Sequence, residues 1–598
     1  MIGRNEICAV LDKMILSHSG WRGIFSGCGD EEGKSAQISQ EHRYICAAAA
    51  LVFFQRCKER GFIKPEILVG MDTRPTGGAI ADAMIRALLP RGCKVSFTGV
   101  IAAPEIMAWA AGKDKTKVSG FIYISASHNP IGYNGIKFGL TDGGVLTADE
   151  MSRLIIDFRA YFEKEDCAKN IDDLLNMTDN EQLKKIYDNV SAAKSEAYRA
   201  YYDFCNTVAW NGDSKIPGVL KSSLLVNPLG IVCDFNGSAR AVSADKEFFL
   251  ELGLKFEYIN EGQIAHRIVP EGDSLLPCAA FLEKLHSRDN AFILGYVPDC
   301  DGDRGNLVIW DDASGRAGIL EAQEVFALAC IAELSFLERT GLCKAAIAVN
   351  DPTSMRIEKI ASAFGVEVFR AEVGEANVVA LARNLREQGY VVRILGEGSA
   401  GGNIIHPSSV RDPVHTVLAI VKLLMIRSDS ENEGLFETWC RKSGQTEKYR
   451  ADFNLADVFA SLPKYATTSV YSKDAVMNIK TKDHILLKNR YEEIFRREWD
   501  EQKAGLKSHY GFCSWEAVAY NKTEEKRGIT CFGEAGNGGL KINFFDTMNR
   551  KAAFIWMRGS ATEPVFRILA DAENENIERF LIGWQRSMIT EADNKNGE

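Results

Sequence analysis

The strongest constraint on this chain is a recurring alternation of short apolar strands with helical segments. EILVGMD (66–72) is short and apolar, and TRPTG breaks it. AIADAMIRALLPRG then carries helical periodicity and ends in glycine, after which CKVSFTGV (93–100) and FIYIS (121–125) read as strands again. Strands alternating with helices predict βαβ units around a parallel or mixed sheet. The same order returns in IVCDFNGSARAVSADKEFFLELGLKFEYIN (231–260) and in KAAIAVNDPTSMRIEKIASAFGVEVFRAEVG (344–374). From about 466 the order changes: strand AFIWM (553–557), loop RGSATEP, strand VFRILAD, helix ENIERFLIGWQRSM. The expectation is three similar α/β domains with mixed sheets (1–210, 211–318, 319–465) and a smaller α+β domain (466–598). Residues 148–207 are charged, helix-favouring and free of Gly and Pro; residues 425–465 are polar, end in SLPKY, and read as a linker.

Composition narrows the function classes. A length of 598 residues suits several domains at roughly 100–200 residues each. The formal charge of −10 weighs against a nucleic-acid partner, which calls for a basic face, but leaves room for a few arginines in a phosphate site. No run approaches the roughly 20 apolar residues of a membrane-spanning helix. The first residues do not read as a signal peptide. The cysteines are scattered from Cys8 to Cys531 without a CxxC pair, which predicts small buried hydrophobes in a reducing cytoplasm.

Four loops carry the chemistry, each directly after a strand. Ser125-Ala126-Ser127-His128-Asn129-Pro130 places a hydroxyl where the chain leaves a sheet. Such a serine can carry a phosphoryl group if positive charge and a proton acceptor are near, and His128 and Lys137 are candidates. Asp299-Cys300-Asp301-Gly302-Asp303-Arg304 sets carboxylates at alternate positions of a tight turn, suited to a hard cation such as Mg2+. A calcium EF-hand would need Gly and Glu where Arg304 and Trp310 stand, so that reading fails. Gly396-Glu397-Gly398-Ser399 offers an acceptor and a donor suited to sugar hydroxyls. Arg558-Gly559-Ser560-Ala561-Thr562-Glu563-Pro564, with Arg567, has the guanidinium forks, hydroxyls and turn amides of a phosphate cradle.

Taken in order, the four strings resemble the α-D-phosphohexomutase superfamily, with Ser19-Gly20-Trp21-Arg22-Gly23, Gly70-Met71-Asp72-Thr73-Arg74 and Arg411-Asp412 as supporting pieces. The resemblance covers nearly the whole chain. It implies four domains around a central cleft and a phosphoserine at Ser127. It also implies Mg2+ held by Ser127, Asp299, Asp301 and Asp303, and a hexose 1,6-bisphosphate as intermediate and activator. Glu397 and Ser399 would read the sugar, while Arg558, Ser560, Thr562 and Arg567 would hold the phosphate that is not reacting. Arg22, His128, Lys137 and Arg304 would serve the reacting end. The partners implied are small hexose phosphates, glucose or mannose foremost, with neither nucleic acid nor membrane. A hexose-bisphosphate synthase and a catalytically silent sugar-phosphate-binding paralogue are the alternatives on the same scaffold. The chain departs from the family pattern at Ala400 and Gly401, at Gly559 and Ala561, and at Val373-Gly374-Glu375.

Overall fold

The computed structural model describes residues 3–341, 344–430, 432–559 and 565–595. The chain divides into two compact units, Met1–Leu320 with Ile404–Val421, and Glu321–Asn403 with Lys422–Glu598.

The first unit holds two mixed sheets. In the six-stranded sheet the order is Ile15–Ser17, Gly20–Ile24, Tyr133–Gly139, Val118–Ile124, Glu66–Met71, Lys94–Val100. Glu66–Met71 pairs in parallel with both of its neighbours, and the other pairs are antiparallel. Helix Gln40–Glu59 packs on this sheet with Ala47, Ala48, Ala49 and Ala50 fully buried. These small residues permit close approach: a Cβ on Gly120 would lie 2.4 Å from the Gly139 carbonyl oxygen and 3.0 Å from the Phe53 ring. The five-stranded sheet runs Arg316–Ile319, Gly305–Asp311, Phe292–Pro298, Gly230–Asp234, Lys255–Ile259. Gly230–Asp234 is parallel to Phe292–Pro298 and to Lys255–Ile259.

The segment 148–207 is helical, as its composition predicts. Ala148–Glu163 begins in a capping box at Thr147 and Glu150, and Val190–Trp210 ends at Asn211 in the left-handed conformation. The second of these helices buries Ala193, Ala197, Tyr201 and Cys205 along one face at a spacing of four, which is the stripe a helix offers to a core.

A four-stranded sheet is ordered Glu367–Ala371, Ala346–Asn350, Ile394–Glu397, Gly402–Ile405, and its first three strands lie in the second unit. A seven-stranded sheet follows, ordered Ala466–Thr467, Phe566–Ala572, Lys551–Gly559, Gly539–Phe545, Ser514–Asn521, Glu524–Arg527, with Val476–Met477 also pairing on Phe566–Ala572. Buried polar bonds tie these two sheets together. Trp556 Nε1 donates to Asp351 Oδ2 at 2.5 Å, Lys541 Nζ to the Asp351 carbonyl at 2.9 Å, and the Met355 amide to Asp571 Oδ2 at 2.9 Å. The contact is so close that a Cβ on Gly539 would fall 1.8 Å from Asp351 Oδ2.

The stretch 425–465 corrects its reading as a linker. It contains helices Leu435–Lys442 and Leu455–Ala460, and Phe436, Trp439, Cys440, Phe453 and Leu455 are buried. Phe436 lies 4.7 Å from Phe453, and Trp439 Nε1 donates to Ser461 Oγ at 2.9 Å. A polar average concealed an apolar stripe at Leu435, Phe436, Trp439 and Cys440, whose i, i+4 spacing is helical. All fourteen cysteines among the described residues are free thiols, and ten of them are buried. None of the described helices is long and apolar enough to cross a membrane.

Candidate active site

Strand Val118–Ile124 ends just before Ser125, and Ser127 follows with φ +54°. A positive φ on a residue other than glycine holds roughly 1–3 kcal/mol of strain and persists only where its surroundings enforce it. The enforcement is visible. The Ser127 amide donates to Ser125 Oγ at 2.8 Å, and Ser125 Oγ donates to Asp301 Oδ2 at 3.0 Å. The buried Arg74 guanidinium gathers the loop carbonyls of Ser127 (2.6 Å), Asn129 (2.6 Å), Pro130 (2.5 Å) and Tyr133 (3.0 Å). Its Nε donates to Asp72 Oδ2 at 3.2 Å. Held in this way, Ser127 Oγ donates to Asp299 Oδ2 at 2.7 Å.

The acidic loop follows strand Phe292–Pro298 and turns at Gly302, φ +70°. Asp299 Oδ1 accepts from the amides of Gly302 and Arg304 at 3.1 and 3.2 Å, which fixes the turn. Lys137 Nζ sits between Asp301 Oδ2 (2.7 Å) and Asp303 Oδ2 (3.1 Å), and Arg411 Nη2 reaches Asp303 Oδ2 at 3.0 Å. Potential ligand atoms of Asp299, Asp301 and Asp303 all lie within 4.8 Å of one another.

Burial and charge set the protonation states. Burial, then Asp301 and Asp303, push Asp299 well above the ordinary carboxyl range. Burial opposes ionisation of Asp303 as well, but Arg411, Lys137 and Arg304 outweigh it and pull that carboxyl below its usual value. Lys137 is raised, because Asp301 and Asp303 overcome its burial. Arg22 is lowered to about 10, by burial first and by Arg304 second. His128 falls well below its ordinary value through burial and the neighbouring Arg304, Arg22 and Arg411, and so is neutral. Arg304 Nη1 lies 2.5 Å from His128 Nδ1. A guanidinium only donates, so Nδ1 accepts and the imidazole proton resides on Nε2.

The donor set fits a hard divalent cation. Oδ1 of Asp301 and Oδ1 of Asp303 are buried and have no hydrogen-bond partner, an arrangement that is expensive unless something else satisfies them. Nε and Nη1 of Arg22 are likewise buried without acceptors, which suits phosphate oxygens. A second cluster, Cys205, Asp412 and His415, also has ligand-type atoms within 4.8 Å of one another. It does not fit a metal. Asp412 Oδ2 already accepts from Tyr201 at 2.8 Å, and Oδ1 accepts the Val414 amide at 2.9 Å and faces Arg240 Nη1 at 3.5 Å.

In the second unit, Glu397 closes strand Ile394–Glu397, and Ser399 lies just beyond. Gly396 has to be glycine: its Cβ would meet the Gly402 carbonyl oxygen at 2.0 Å. Asn350, at the end of a neighbouring strand, donates from Nδ2 to Ser399 Oγ at 2.9 Å and to Glu397 Oε1 at 3.5 Å. The Gly374 amide donates to Glu397 Oε1 at 2.7 Å. Arg558 and Arg567 face each other across adjacent antiparallel strands. Directly opposed like charges are unfavourable in a sheet, which makes the pair a natural anion site. Arg558 is held by Glu372 Oε1, 2.9 Å from Nε and 2.8 Å from Nη2, while Arg567 Nη1 donates to the Val470 carbonyl. Ser560 and Thr562 lie outside the described residues.

Sequence reasoning missed several groups here. Asn350 is one, and its only signal was a polar residue at a strand end. The bracing role of Arg74 is another. Lys488 is a third: burial, then Arg558, lowers it to about 7. The His484 ring occupies the space beside residue 559, where a Cβ would approach to 2.1 Å, and this accounts for Gly559.

Residues 19–164 match the family model "Phosphoglucomutase/phosphomannomutase, alpha/beta/alpha domain I", and residues 326–439 match domain III of the same family. The chain thus carries segments matching domains I and III of the phosphoglucomutase/phosphomannomutase family. A phosphoglucomutase/phosphomannomutase of Thermococcus kodakarensis is 26% identical over 91% of this chain and 93% of its own length. A phosphoglucosamine mutase of Methanococcus maripaludis is also 26% identical, over 57% of this chain and 64% of its own length. Among solved structures, a family protein from Burkholderia thailandensis superposes with a TM-score of 0.61 at 17% identity, covering 100% of this chain and 99% of that one. Parafusin, a phosphoglucomutase from Paramecium, gives 0.63 at 15% identity, over 97% and 96%. These structures share the phosphohexomutase fold. The matched domain I segment contains Arg22, Ser127, His128 and Lys137; the matched domain III segment contains Glu397, Ser399 and Arg411.

Proposed function

We propose that this chain is a phosphohexomutase that interconverts hexose 1-phosphate and hexose 6-phosphate through a phosphoserine at Ser127. The observation that carries the reading is the enforced left-handed backbone at Ser127, whose Oγ stands 2.7 Å from Asp299 in a pocket of buried cations. In the first transfer the bond from phosphorus to Ser127 Oγ breaks and a bond to the free sugar hydroxyl forms; the proton that hydroxyl gives up is balanced by the one Ser127 Oγ takes on as it becomes a free hydroxyl again. The product is a hexose 1,6-bisphosphate. In the second transfer its other phosphate returns to Ser127, so no phosphate is gained or lost overall.

Asp299, Asp301 and Asp303 are the residues to hold Mg2+, which when bound neutralises charge on the transferring phosphoryl group. Lys137 fixes Asp301 and Asp303 in place, and together with Arg411 it keeps Asp303 ionised. Arg22 supplies unpaired donors to phosphate oxygens, and Arg304 holds His128 neutral with a donor on Nε2. Arg22, Lys137, Arg304 and Arg411 line this site with the three aspartates, and a phosphate dianion and a divalent ion, which cancel each other, would add no net charge to it. Glu397 and Ser399 are the sugar-reading pair. Arg558, Arg567, Ser560 and Thr562 are the anchor for the second phosphate. Four domains, 1–210, 211–318, 319–465 and 466–598, accord with one sheet apiece. The free buried thiols are in keeping with a reducing cytoplasm.

Glucose and mannose phosphates are the substrates we favour, because the relative matched along almost the whole chain is named a phosphoglucomutase/phosphomannomutase. Glucosamine phosphate is the second reading, supported by several phosphoglucosamine mutases that match over just over half of the chain. Phosphorus NMR decides between them. Protein, Mg2+, a trace of hexose 1,6-bisphosphate and each sugar 1-phosphate are incubated separately, with Ser127→Ala beside each. A 6-phosphate signal from one sugar, abolished by Ser127→Ala, is the expected result. Conversion of none by phosphorylated, folded protein refutes the mutase reading.

A further inference from the structure

The helix Val190–Trp210 belongs to a charged stretch that the proposed chemistry leaves without a role. Its buried face carries Tyr201, fully enclosed, with its hydroxyl 2.8 Å from Asp412 Oδ2. The same hydroxyl accepts from Arg240 Nη2 at 2.8 Å. Arg240 is bound in turn by Asp245, 3.0 Å from Nε and 2.6 Å from Nη2, and Tyr296 donates to Asp245 Oδ2 at 2.7 Å. All of these groups are buried.

This network touches the acidic loop at two points. The aliphatic stem of Arg240 lies under Gly302, where a Cβ would fall 2.3 Å from Cδ and 2.5 Å from Cγ. Asp412 follows Arg411 in the chain, and Arg411 is the residue bound to Asp303 at 3.0 Å. One tyrosine hydroxyl therefore fixes both the arginine that supports the turn and the aspartate beside the arginine that clamps a carboxylate.

We propose that Tyr201 is a positioning residue for the aspartate loop, acting through Arg240 on Gly302 and through Asp412 on Arg411. This deepens the proposed function and rests on its assignment of Asp299, Asp301 and Asp303 as the cation-holding residues. Without the hydroxyl, Arg240 Nη2 keeps only Asp245, and Asp412 Oδ2 loses its donor. The guanidinium then moves toward Asp412, now 3.5 Å from Nη1, and draws its stem away from Gly302. Groups that orient metal ligands without touching the metal typically change metal affinity by roughly 10–100-fold when removed.

The test is Mn2+ titration followed by electron paramagnetic resonance on three full-length proteins: the unmutated chain, Tyr201→Phe and Tyr202→Phe. Tyr202 is the control, because its hydroxyl donates to Glu251 on the outer side of the same helix. We expect roughly tenfold weaker Mn2+ binding for Tyr201→Phe, unchanged binding for Tyr202→Phe, and similar melting temperatures for all three. We also expect kcat of Tyr201→Phe to fall while KM for the sugar phosphate holds, a split that a general loss of stability would not produce. Equal Mn2+ affinity in Tyr201→Phe and the unmutated protein overturns the inference while leaving the mutase reading intact. Absence of Mn2+ binding in the unmutated protein overturns both. If Tyr201→Phe does not fold, Tyr296→Phe releases Asp245 on the far side of the same guanidinium, and the same comparison applies.

Discussion

Replacing Arg74 by lysine isolates the brace under Ser127, the proposed phosphoryl carrier. Five side-chain hydrogen bonds leave this guanidinium, one to Asp72 and four to the carbonyls of Ser127, Asn129, Pro130 and Tyr133. Lysine keeps the charge but has three donors on a single nitrogen, so at least two of the five partners go unpaired. An unsatisfied buried acceptor costs about 1–3 kcal/mol, which puts the local loss at about 2–6 kcal/mol. The strain at Ser127, about 1–3 kcal/mol, would then no longer be overcome by its surroundings. The loop would relax out of the left-handed conformation for most of the time. At a factor of ten for every 1.4 kcal/mol, the lower bound of about 2 kcal/mol predicts a fall in kcat of roughly 30-fold. The assay is turnover of the sugar phosphate by phosphorus NMR or a coupled enzyme, with the phosphoserine content measured by mass spectrometry. Circular dichroism confirms the fold. If a folded Arg74→Lys protein retains kcat within threefold, the carbonyl brace does not hold the nucleophile and the reasoning fails.

Two further outcomes follow from other parts of the molecule. His266 donates toward Asp234 Oδ2 at 2.9 Å and lies 3.0 Å from the Arg267 carbonyl; burial lowers its affinity for a proton, but these two bonds outweigh burial and raise it above the ordinary 6.5. A raised histidine contributes stability that is complete below about 6.5 and is lost as pH climbs through the folded-state value. The melting temperature of the unmutated protein should therefore exceed that of His266→Gln most at pH 5.5, and the gap should shrink toward pH 8.5; a gap that grows with pH contradicts the assignment. Trp439→Ala should cost about 3–5 kcal/mol in urea unfolding, because the indole is buried and bonded to Ser461, whereas an open linker would lose almost nothing.

The parts of this molecule that sequence made legible are those in which chemistry and chain position coincide. Ser127 and the aspartates of 299–303 stand immediately after apolar strands, so the side chains could be placed at strand ends before any coordinate was known. The alternating strands and helices likewise announced mixed sheets. What stayed hidden depends on contacts between distant segments. Arg74 lies more than fifty residues from the carbonyls it gathers, and Asn350 lies 47 and 49 residues from Glu397 and Ser399. Tyr201 meets Asp412 across 211 residues. No local pattern marks such pairs, because a buried tyrosine in an apolar stripe looks the same whether its hydroxyl is satisfied nearby or far away. The packed helices of 435–460 were obscured for another reason: charged residues between the apolar ones lowered the average, although the spacing was helical.

The left-handed backbone at residue 127 also bears on why the chain uses this particular alcohol. Serine and threonine carry the same functional group, a hydroxyl on Cβ. A branched Cβ at φ +54° would press its methyl group against the adjoining peptide, a conformation that β-branched residues adopt only as outliers. Threonine is therefore barred by the backbone rather than by its chemistry. The sharp turn that brings the oxygen to Asp299 confines the hydroxyl at this position to the smaller of the two alcohols, and a lineage that kept this turn would have lost the freedom to exchange them.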